Sequence, residues 1–212
     1  MHDSAMTYVA LGGTFDPVHR GHIQSAQALI SDIGYERVHL IPCGDAYHKD
    51  QVSSGHHRQA MLELALKDFP NLILDARELQ RQGATYTVDT LKQLRMELGP
   101  DAHVCWVMGT DAAAGVTKWH QWQQLFELAN VIVMRRAGEP EPTLNWPAQF
   151  TDDVSYFKQQ AYGYYLQVTL PQIILSSSDI RRDVSQGLSV IDHVSPAVND
   201  YIQQHGLYRG NN

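Results

Sequence analysis

Cysteine is scarce in this chain, with only Cys43 and Cys105 among 212 residues. The two stand far apart and form no CxxC pair, so the sequence offers neither a disulfide framework nor a zinc-spaced cluster. Basic residues are also few, with 16 Lys and Arg against 23 Asp and Glu. This balance argues against sequence-independent binding to nucleic acid, which depends on basic side chains that neutralise phosphates. A small phosphorylated ligand needs only a few local donors and remains compatible with an acidic surface.

Long hydrophobic runs are absent as well. No run approaches the ~18 apolar residues of a transmembrane helix, and the first residues, MHDSAM, lack the basic and apolar segments of a secretory signal. We therefore expect no membrane segment, a cytoplasmic location and reduced thiols. The 43% hydrophobic content and the length predict one globular domain spanning residues 1–212.

Short apolar runs alternate with amphipathic segments. Runs that are apolar throughout are typical of strands covered on both faces, and they occur at residues 8–11, 38–41, 72–74, 104–108 and 131–134. Helical spacing of apolar residues predicts helices near residues 22–33, 57–66 and 88–98. This alternation predicts an α/β fold, a Rossmann-like doubly wound parallel sheet with right-handed crossovers.

The later part of the chain loses this rhythm. Residues 137–165 carry three prolines, several acids and the aromatic segment YGYY, and we interpret them as an irregular insertion. A last strand is expected at residues 164–170. A small C-terminal helical part is expected at about 178–205, with Gly206 at a helix C-cap.

The N-terminal motif, residues 12–22 with the sequence GGTFDPVHRGH, follows the first apolar run and leads into the first predicted helix. Ligands of open α/β sheets bind at the carboxyl ends of strands, where such loops lie. Gly12 and Gly13 would let backbone N–H groups approach a phosphate, and the helix start offers further N–H groups. His19 and His22 would share one face of the first helical turn. An ordinary turn with two surface histidines is the alternative. The combination of a predicted strand, two glycines, a threonine, a proline and an HxGH-type end within a few residues favours a phosphate site.

This motif resembles the GGTFDPxHxGH motif of bacterial nicotinate-nucleotide adenylyltransferases, which belong to the nucleotidyltransferase superfamily with a T/HxGH motif. The resemblance covers nearly the whole chain. It includes YTVDTL at residues 86–91, VMGTD at 107–111, the tryptophan at 119, LSSSDIR at 175–181 and an INxxGLYR-like end at 202–209. The first motif is shared by the superfamily, whereas the combination is specific to this family. It implies transfer of the adenylyl group of ATP to nicotinate mononucleotide, giving nicotinate adenine dinucleotide and pyrophosphate in NAD biosynthesis.

The resemblance also implies roles for individual residues. The catalytic candidates are His19, His22, Lys49 and Arg181. The candidates for ATP binding are Gly12, Gly13, Thr14, Phe15, Gly109, Asp111, Ser177 and Ser178. The candidates for binding the mononucleotide are Tyr86, Thr87, Trp119 and His48. Mg²⁺ is expected to be held mainly by the ATP phosphates and water, so no protein metal ligand is named.

Some of these residues have simpler local interpretations. A serine run before a helical segment is an N-cap signal, so Ser177 or Ser178 could cap a helix. Asp111 could likewise be a helix cap that also binds a ribose, and Trp119 could be an ordinary packed tryptophan. Arg135 and Arg136 end the fifth apolar run and are secondary phosphate candidates, with a solvated basic edge as the alternative.

One loop departs from the family pattern PxxxPPHK. Residues 42–49 read PCGDAYHK, so Asp45, Ala46 and Tyr47 replace the rigid prolines, while His48 and Lys49 remain. We expect a more mobile loop, and a like charge near phosphate, with an effect on substrate affinity. Two alternatives therefore stay open: the same chemistry on nicotinamide mononucleotide or another phosphorylated compound, and a nucleotide-binding protein with little turnover. Nucleic acid and membrane partners are not expected, and the sequence does not predict an oligomeric state.

Overall fold

The computed structural model describes residues 6–44, 52–136, 138, 142–170 and 175–209. Seven strands lie within these residues: β1 Thr7–Gly13, β2 Val38–Pro42, β3 Leu72–Leu74, β4 His103–Gly109, β5 Asn130–Arg136, β6 Gln149–Phe150 and β7 Tyr164–Leu170. Their order in the sheet is β3-β2-β1-β4-β5-β7-β6. The pairs β1–β4, β4–β5, β5–β7 and β6–β7 are parallel. The predicted Rossmann-like α/β class is confirmed.

The described residues also form eight α-helices: α1 Arg20–Ser31, α2 Gly55–Leu66, α3 Thr87–Leu98, α4 Thr110–Gly115, α5 Leu125–Leu128, α6 Val154–Phe157, α7 Ser177–Ser185 and α8 Pro196–Gln204. Single 3₁₀ turns occur at Val116–Lys118 and Trp122–Gln124. The C-cap residue of α8 is His205, and the expected glycine, Gly206, lies one position later with a φ of 60°. None of the described helices has the length and apolar character needed to cross a bilayer.

The chain divides into two compact units. The first comprises Met1–Gly12, Arg37–His39 and Thr85–Gln172. Its sheet register pairs Leu11 with Val107, Val107 with Ile132 and Ile132 with Leu166. Strands β1 and β4 run parallel, so their carboxyl ends lie at the same sheet edge. The fully buried side chains of this unit include Val9, Val104, Val107, Leu91, Leu94, Leu125, Val131, Ile132, Val133 and Phe157.

The second unit comprises Gly13–Glu36, Leu40–Ala84 and Ile173–Asn212. It contains α1, α2, β3, α7 and α8, so most of the N-terminal motif and the C-terminal helices belong to it. Its fully buried side chains include Leu29, Leu40, Ile41, Met61, Leu62, Val194, Val198 and Ile202. The expectation of a single domain over residues 1–212 stays a prediction.

Residues 137–165 contain more regular structure than the sequence predicted. The short strand β6 and the one-turn helix α6 lie in this segment, and strand β7 follows as expected. The rings of Trp146 and Tyr165 lie 5.3 Å apart in edge contact, and Trp146 also contacts Phe126. A two-residue strand and a four-residue helix are too short to produce a hydrophobic period, which explains why the sequence did not reveal them.

Candidate active site

Two histidines close the first turn of α1. His19 precedes the helix, and its Nδ1 accepts a hydrogen bond from the backbone N–H of His22 at 3.4 Å. In return, the Nδ1 of His22 accepts from the backbone N–H of His19 at 3.2 Å. The two rings stack, with centroids 3.6 Å apart and planes inclined by 21°. This reciprocal capping satisfies two N–H groups and holds both imidazoles in place.

Both imidazoles are neutral at pH 7. Burial, with a smaller contribution from His193, lowers the pKa of His19 to about 4. Burial and the adjacent His19 hold the pKa of His22 well below its usual range. Because each Nδ1 accepts a backbone N–H, the single proton of each neutral ring must lie on Nε2. The pair therefore supplies two Nε2–H donors of defined tautomer.

The two glycines of the motif make room for aromatic rings of the protein itself. A Cβ on Gly12 would overlap Cζ2 of Trp106, and one on Gly13 would lie 2.9 Å from Cζ of Phe15. Phe15 has a φ of 51°, in the left-handed region that costs a non-glycine residue about 1 kcal/mol. Its buried ring meets the ring of His22 edge-on, with centroids 4.9 Å apart. Packing thus requires both glycines, and their predicted contact with phosphate stays a prediction.

The start of α7 lies against the N-terminal motif. Arg181 donates from its NH1 to the backbone oxygen of Asp16 at 2.7 Å. The hydroxyl of Ser177 donates to the backbone oxygen of Pro17 at 3.0 Å. The hydroxyl of Ser178 accepts from NH2 of Arg181 at 3.3 Å. The structure therefore brings the predicted arginine and serines to the segment that carries the two histidines.

The residue that caps α7 differs from the expected one. Ser176 precedes the helix, and its hydroxyl accepts a hydrogen bond from the N–H of Asp179 at 3.0 Å. The expectation that Ser177 or Ser178 caps the helix is wrong, because both lie inside its first turn. Because α7 begins after Ser176, Ile180 faces the core and is buried. The hydroxyl of Ser177 then binds the backbone of the N-terminal motif.

A carboxylate within the motif has partners that the sequence did not reveal. Asp16 is 1% exposed. Its Oδ1 accepts from the hydroxyl of Tyr208 at 2.6 Å, and its Oδ2 accepts from the backbone N–H of Ser53 at 3.1 Å. Burial beside Asp16 raises the pKa of Tyr208, so this phenol stays protonated and donates. The only hint in the sequence was the GLYR-like end, which contains Tyr208.

Replacing Tyr208 by Phe tests this link. We expect Tyr208→Phe to lower the free energy of unfolding by about 1–3 kcal/mol, because the buried carboxylate of Asp16 loses a donor. Urea denaturation should show a lower midpoint at an unchanged slope. Tyr201→Phe is the matched control, since it removes a hydroxyl that binds the partly exposed His57 and should cost less. Equal stability of Tyr208→Phe and the wild-type chain would contradict the expected role.

Two ATP-binding candidates lie at the carboxyl end of β4. Gly109 is the residue before α4, and Asp111 is exposed in the first turn of that helix. Asp111 therefore does not cap α4. The hydroxyl of Thr110 donates to the backbone oxygen of Met134 at 3.3 Å, which joins the ends of β4 and β5. An exposed carboxylate at this edge is available to accept hydrogen bonds.

Three candidates for binding the mononucleotide lie in the first unit. Tyr86 precedes α3, and Thr87 begins that helix. Tyr86 is 39% exposed, and its ring centroid lies 4.3 Å from that of His120, the residue after Trp119. Trp119 is only partly buried. The start of α3 and the segment with the predicted tryptophan are therefore neighbours.

Some candidates cannot be placed. His48, Lys49 and the departing residues 45–47 lie outside the described residues, so their roles stay predictions. Of the secondary pair, Arg135 donates from NH2 to the hydroxyl of Thr169 at 2.8 Å. Within the described part of the chain, no group of three or more His, Cys, Asp or Glu side chains could hold a metal ion. Neither Cys43 nor Cys105 forms a disulfide among the residues that the structure describes.

Comparison with known proteins identifies relatives along almost the whole chain. The model of the family described as cytidylyltransferase-like matches residues 10–183. A protein of Laribacter hongkongensis, described as a "probable nicotinate-nucleotide adenylyltransferase", is 38% identical over 205 residues, which cover 93% of this chain and 92% of that protein. A protein of Hahella chejuensis with the same description is 40% identical over 207 residues, with 94% of each covered.

Solved structures agree on the fold. The nicotinic acid mononucleotide adenylyltransferase of Plasmodium falciparum, solved in complex with NaAD, superposes with a TM-score of 0.74 and covers 96% of this chain and 97% of that chain. The two sequences are 20% identical, so this likeness supports the architecture rather than any particular contact.

Proposed function

Because this chain belongs to the nicotinate-nucleotide adenylyltransferases of the cytidylyltransferase-like family, we propose that it transfers the adenylyl group of ATP to nicotinate mononucleotide. The products are nicotinate adenine dinucleotide and pyrophosphate, a step of NAD biosynthesis. The observation that carries the site assignment is the stacked pair His19 and His22, with Arg181 bound to the same motif.

The proposed reaction requires the two substrates to be aligned, but it does not require the attacking phosphate to be activated by the protein. An oxygen of the mononucleotide phosphate forms a bond to the α-phosphorus of ATP, and the bond from that phosphorus to the bridging oxygen of pyrophosphate breaks. This phosphate is already ionised at pH 7, so no protein base is needed. The protein must hold two anions in line and stabilise the charge that develops on the α-phosphate and on the leaving group.

The N-terminal motif supplies donors for that charge. The neutral rings of His19 and His22 can each donate a hydrogen bond from Nε2–H to a phosphate oxygen. Arg181 adds a permanent cation at the same motif, and a guanidinium suits the geometry of phosphate oxygens. We assign Lys49 the same task at the phosphate of the mononucleotide, together with His48.

The first unit supplies candidates for the two bases and their sugars. We assign Asp111 as an acceptor of hydrogen bonds from a ribose, because its carboxylate is exposed at the carboxyl end of β4. The flat ring of Trp119 suits stacking on a pyridine ring, and backbone N–H groups near Thr87 would receive the nicotinate carboxylate. We assign Gly109 to the ATP site beside Asp111, and Tyr86 to the mononucleotide site beside Thr87.

Mg²⁺ would be carried into the site mainly on the phosphates of ATP. The candidate donors at this site are the imidazoles of His19 and His22 and the guanidinium of Arg181, which are poor partners for an ion that prefers oxygen. The carboxylate of Asp16 is already bound by Tyr208 and Ser53. When bound, Mg²⁺ neutralises charge on the phosphates. The side chains of the protein then bind and orient the remaining phosphate oxygens.

A pyrophosphate-release assay with ATP and a panel of mononucleotides tests the proposed function. We expect kcat/KM for nicotinate mononucleotide to exceed that for nicotinamide mononucleotide at least ~10-fold. A site that donates to both oxygens of a carboxylate would leave one of its N–H donors facing the NH2 group of an amide, without an acceptor. The reverse order would support the amide-specific alternative. ATP binding without release of pyrophosphate from ATP in the presence of any of the mononucleotides would support a binding protein with little turnover, the alternative that the altered residues 45–47 suggest.

A further inference from the structure

A buried arginine connects two segments of the candidate site. Arg58 lies in the first turn of α2 and is only 3% exposed. Its NH1 donates to the backbone oxygen of Thr14 at 3.1 Å and to that of Cys43 at 2.7 Å. Its NH2 donates to the backbone oxygen of Gly44 at 3.1 Å. One guanidinium thus holds the N-terminal motif and the segment that follows β2.

The same side chain also supports the carboxylate of the motif. Nε of Arg58 donates to the backbone oxygen of Ser53 at 3.1 Å. The N–H of Ser53 donates to Oδ2 of Asp16. The backbone N–H of Cys43 also donates a hydrogen bond to the backbone oxygen of Gly13 at 2.9 Å, which joins the N-terminal motif to the segment after β2. Among the residues that the structure describes, Arg58 therefore contributes most of the side-chain hydrogen bonds that hold the backbone of residues 13–16 and 43–44 in position.

Only an arginine can make this set of contacts. Its planar fork presents five N–H donors in fixed directions, and here they reach four backbone oxygens. A lysine keeps the charge but presents three donors from one nitrogen, so it cannot span carbonyls on three segments. The charge and the positioning function of this residue can therefore be separated by experiment.

We propose that Arg58 is a positioning residue for adenylyl transfer, an inference that rests on the proposed function. It acts through backbone carbonyls and need not contact either substrate. Thr14 belongs to the segment assigned to ATP. The guanidinium sets the spacing between that segment and residues 43–44, and a small misplacement of groups that bind a reacting phosphate can lower the reaction rate strongly.

The test is Arg58→Lys, with Arg95→Lys as the matched control. Arg95 also donates to several backbone oxygens, those of Leu128, Gly99, Pro100, Ala102 and Ala161. None of these residues is assigned to the site. Both substitutions should lower stability, and assays are run at a temperature where urea denaturation shows both variants fully folded.

We expect kcat of Arg58→Lys to fall by about 10–100-fold, the loss that a misplacement of about 1 Å can cause. Per folded molecule, kcat of Arg95→Lys should stay within roughly twofold of wild type, because its contacts support no assigned residue. A kcat for Arg58→Lys no lower than that for Arg95→Lys would reduce Arg58 to a stability role and overturn the proposal.

Hydrogen exchange supplies a readout that does not depend on turnover. Arg58→Lys should increase amide exchange in peptides covering residues 13–16 and 41–44, and Arg95→Lys should leave those peptides unchanged. Unchanged exchange in Arg58→Lys would also overturn the proposal. If wild-type protein fails to release pyrophosphate with nicotinate mononucleotide, the proposed function fails, while the exchange experiment still decides whether Arg58 positions the two segments.

Discussion

His22→Ala is expected to lower kcat/KM for adenylyl transfer at least ~10²-fold, equivalent to about 2.7 kcal/mol of transition-state stabilisation. The substitution removes a neutral Nε2–H donor and also the Nδ1 that accepts from the N–H of His19. Steady-state pyrophosphate release measures the effect. Turnover near the wild-type level in a folded variant would exclude His22 from the role assigned to it.

The capping function and the catalytic function of His22 can be separated. Asn at this position keeps a short side-chain oxygen that can accept from the N–H of His19, but it lacks the distant Nε2 donor. We expect His22→Asn to regain stability relative to His22→Ala while remaining as inactive. His56→Ala is the matched control, because His56 is exposed on α2 and should change kcat/KM less than about twofold.

Arg181→Ala is expected to lower kcat/KM by about 10²–10³-fold, the range seen when one donor to a developing charge is removed. Arg181→Lys keeps the charge and loses the fork that binds Asp16 and Ser178, so it should retain intermediate activity. The neighbouring Arg182 provides the control. It forms an exposed ion pair with Asp179, and Arg182→Ala should stay within roughly twofold of wild type.

Two results would contradict the role assigned to Arg181 in adenylyl transfer. Equal kcat/KM values for Arg181→Ala and Arg182→Ala would show that Arg181 serves only to hold α7 on the N-terminal motif. A loss in Arg181→Ala that is fully restored in Arg181→Lys would show that charge alone matters and that the fork contacts are dispensable.

Local sequence patterns predicted much of the architecture because the features they report are local. Apolar runs of four or five residues correspond to strands β1, β2, β4 and β5, since strands buried on both faces need apolar side chains throughout. Helical spacing located α1, α2 and α3 to within about two residues. Elements of only about one period, such as β6 and α6, carried no such signal.

The choice among the three serines before α7 shows where local reasoning ends. Ser176, Ser177 and Ser178 are equally good caps by residue type. Burial of Ile180 and Val184 sets the phase of the helix and thereby selects Ser176. The hydroxyl of Ser177 is then directed to Pro17, far away along the chain.

By itself, the sequence determined the order of the longer strands and helices along the chain, the position of the motif at the end of β1 and the pairing of His19 with His22 on one helical turn. Each of these depends on neighbours within a few residues. Tertiary structure alone decided that Tyr208 binds Asp16, that Arg58 holds Thr14 beside Cys43, and that Trp106 requires a glycine at position 12. Those contacts join residues distant in sequence, and they arise only when the packing of buried side chains brings their segments together.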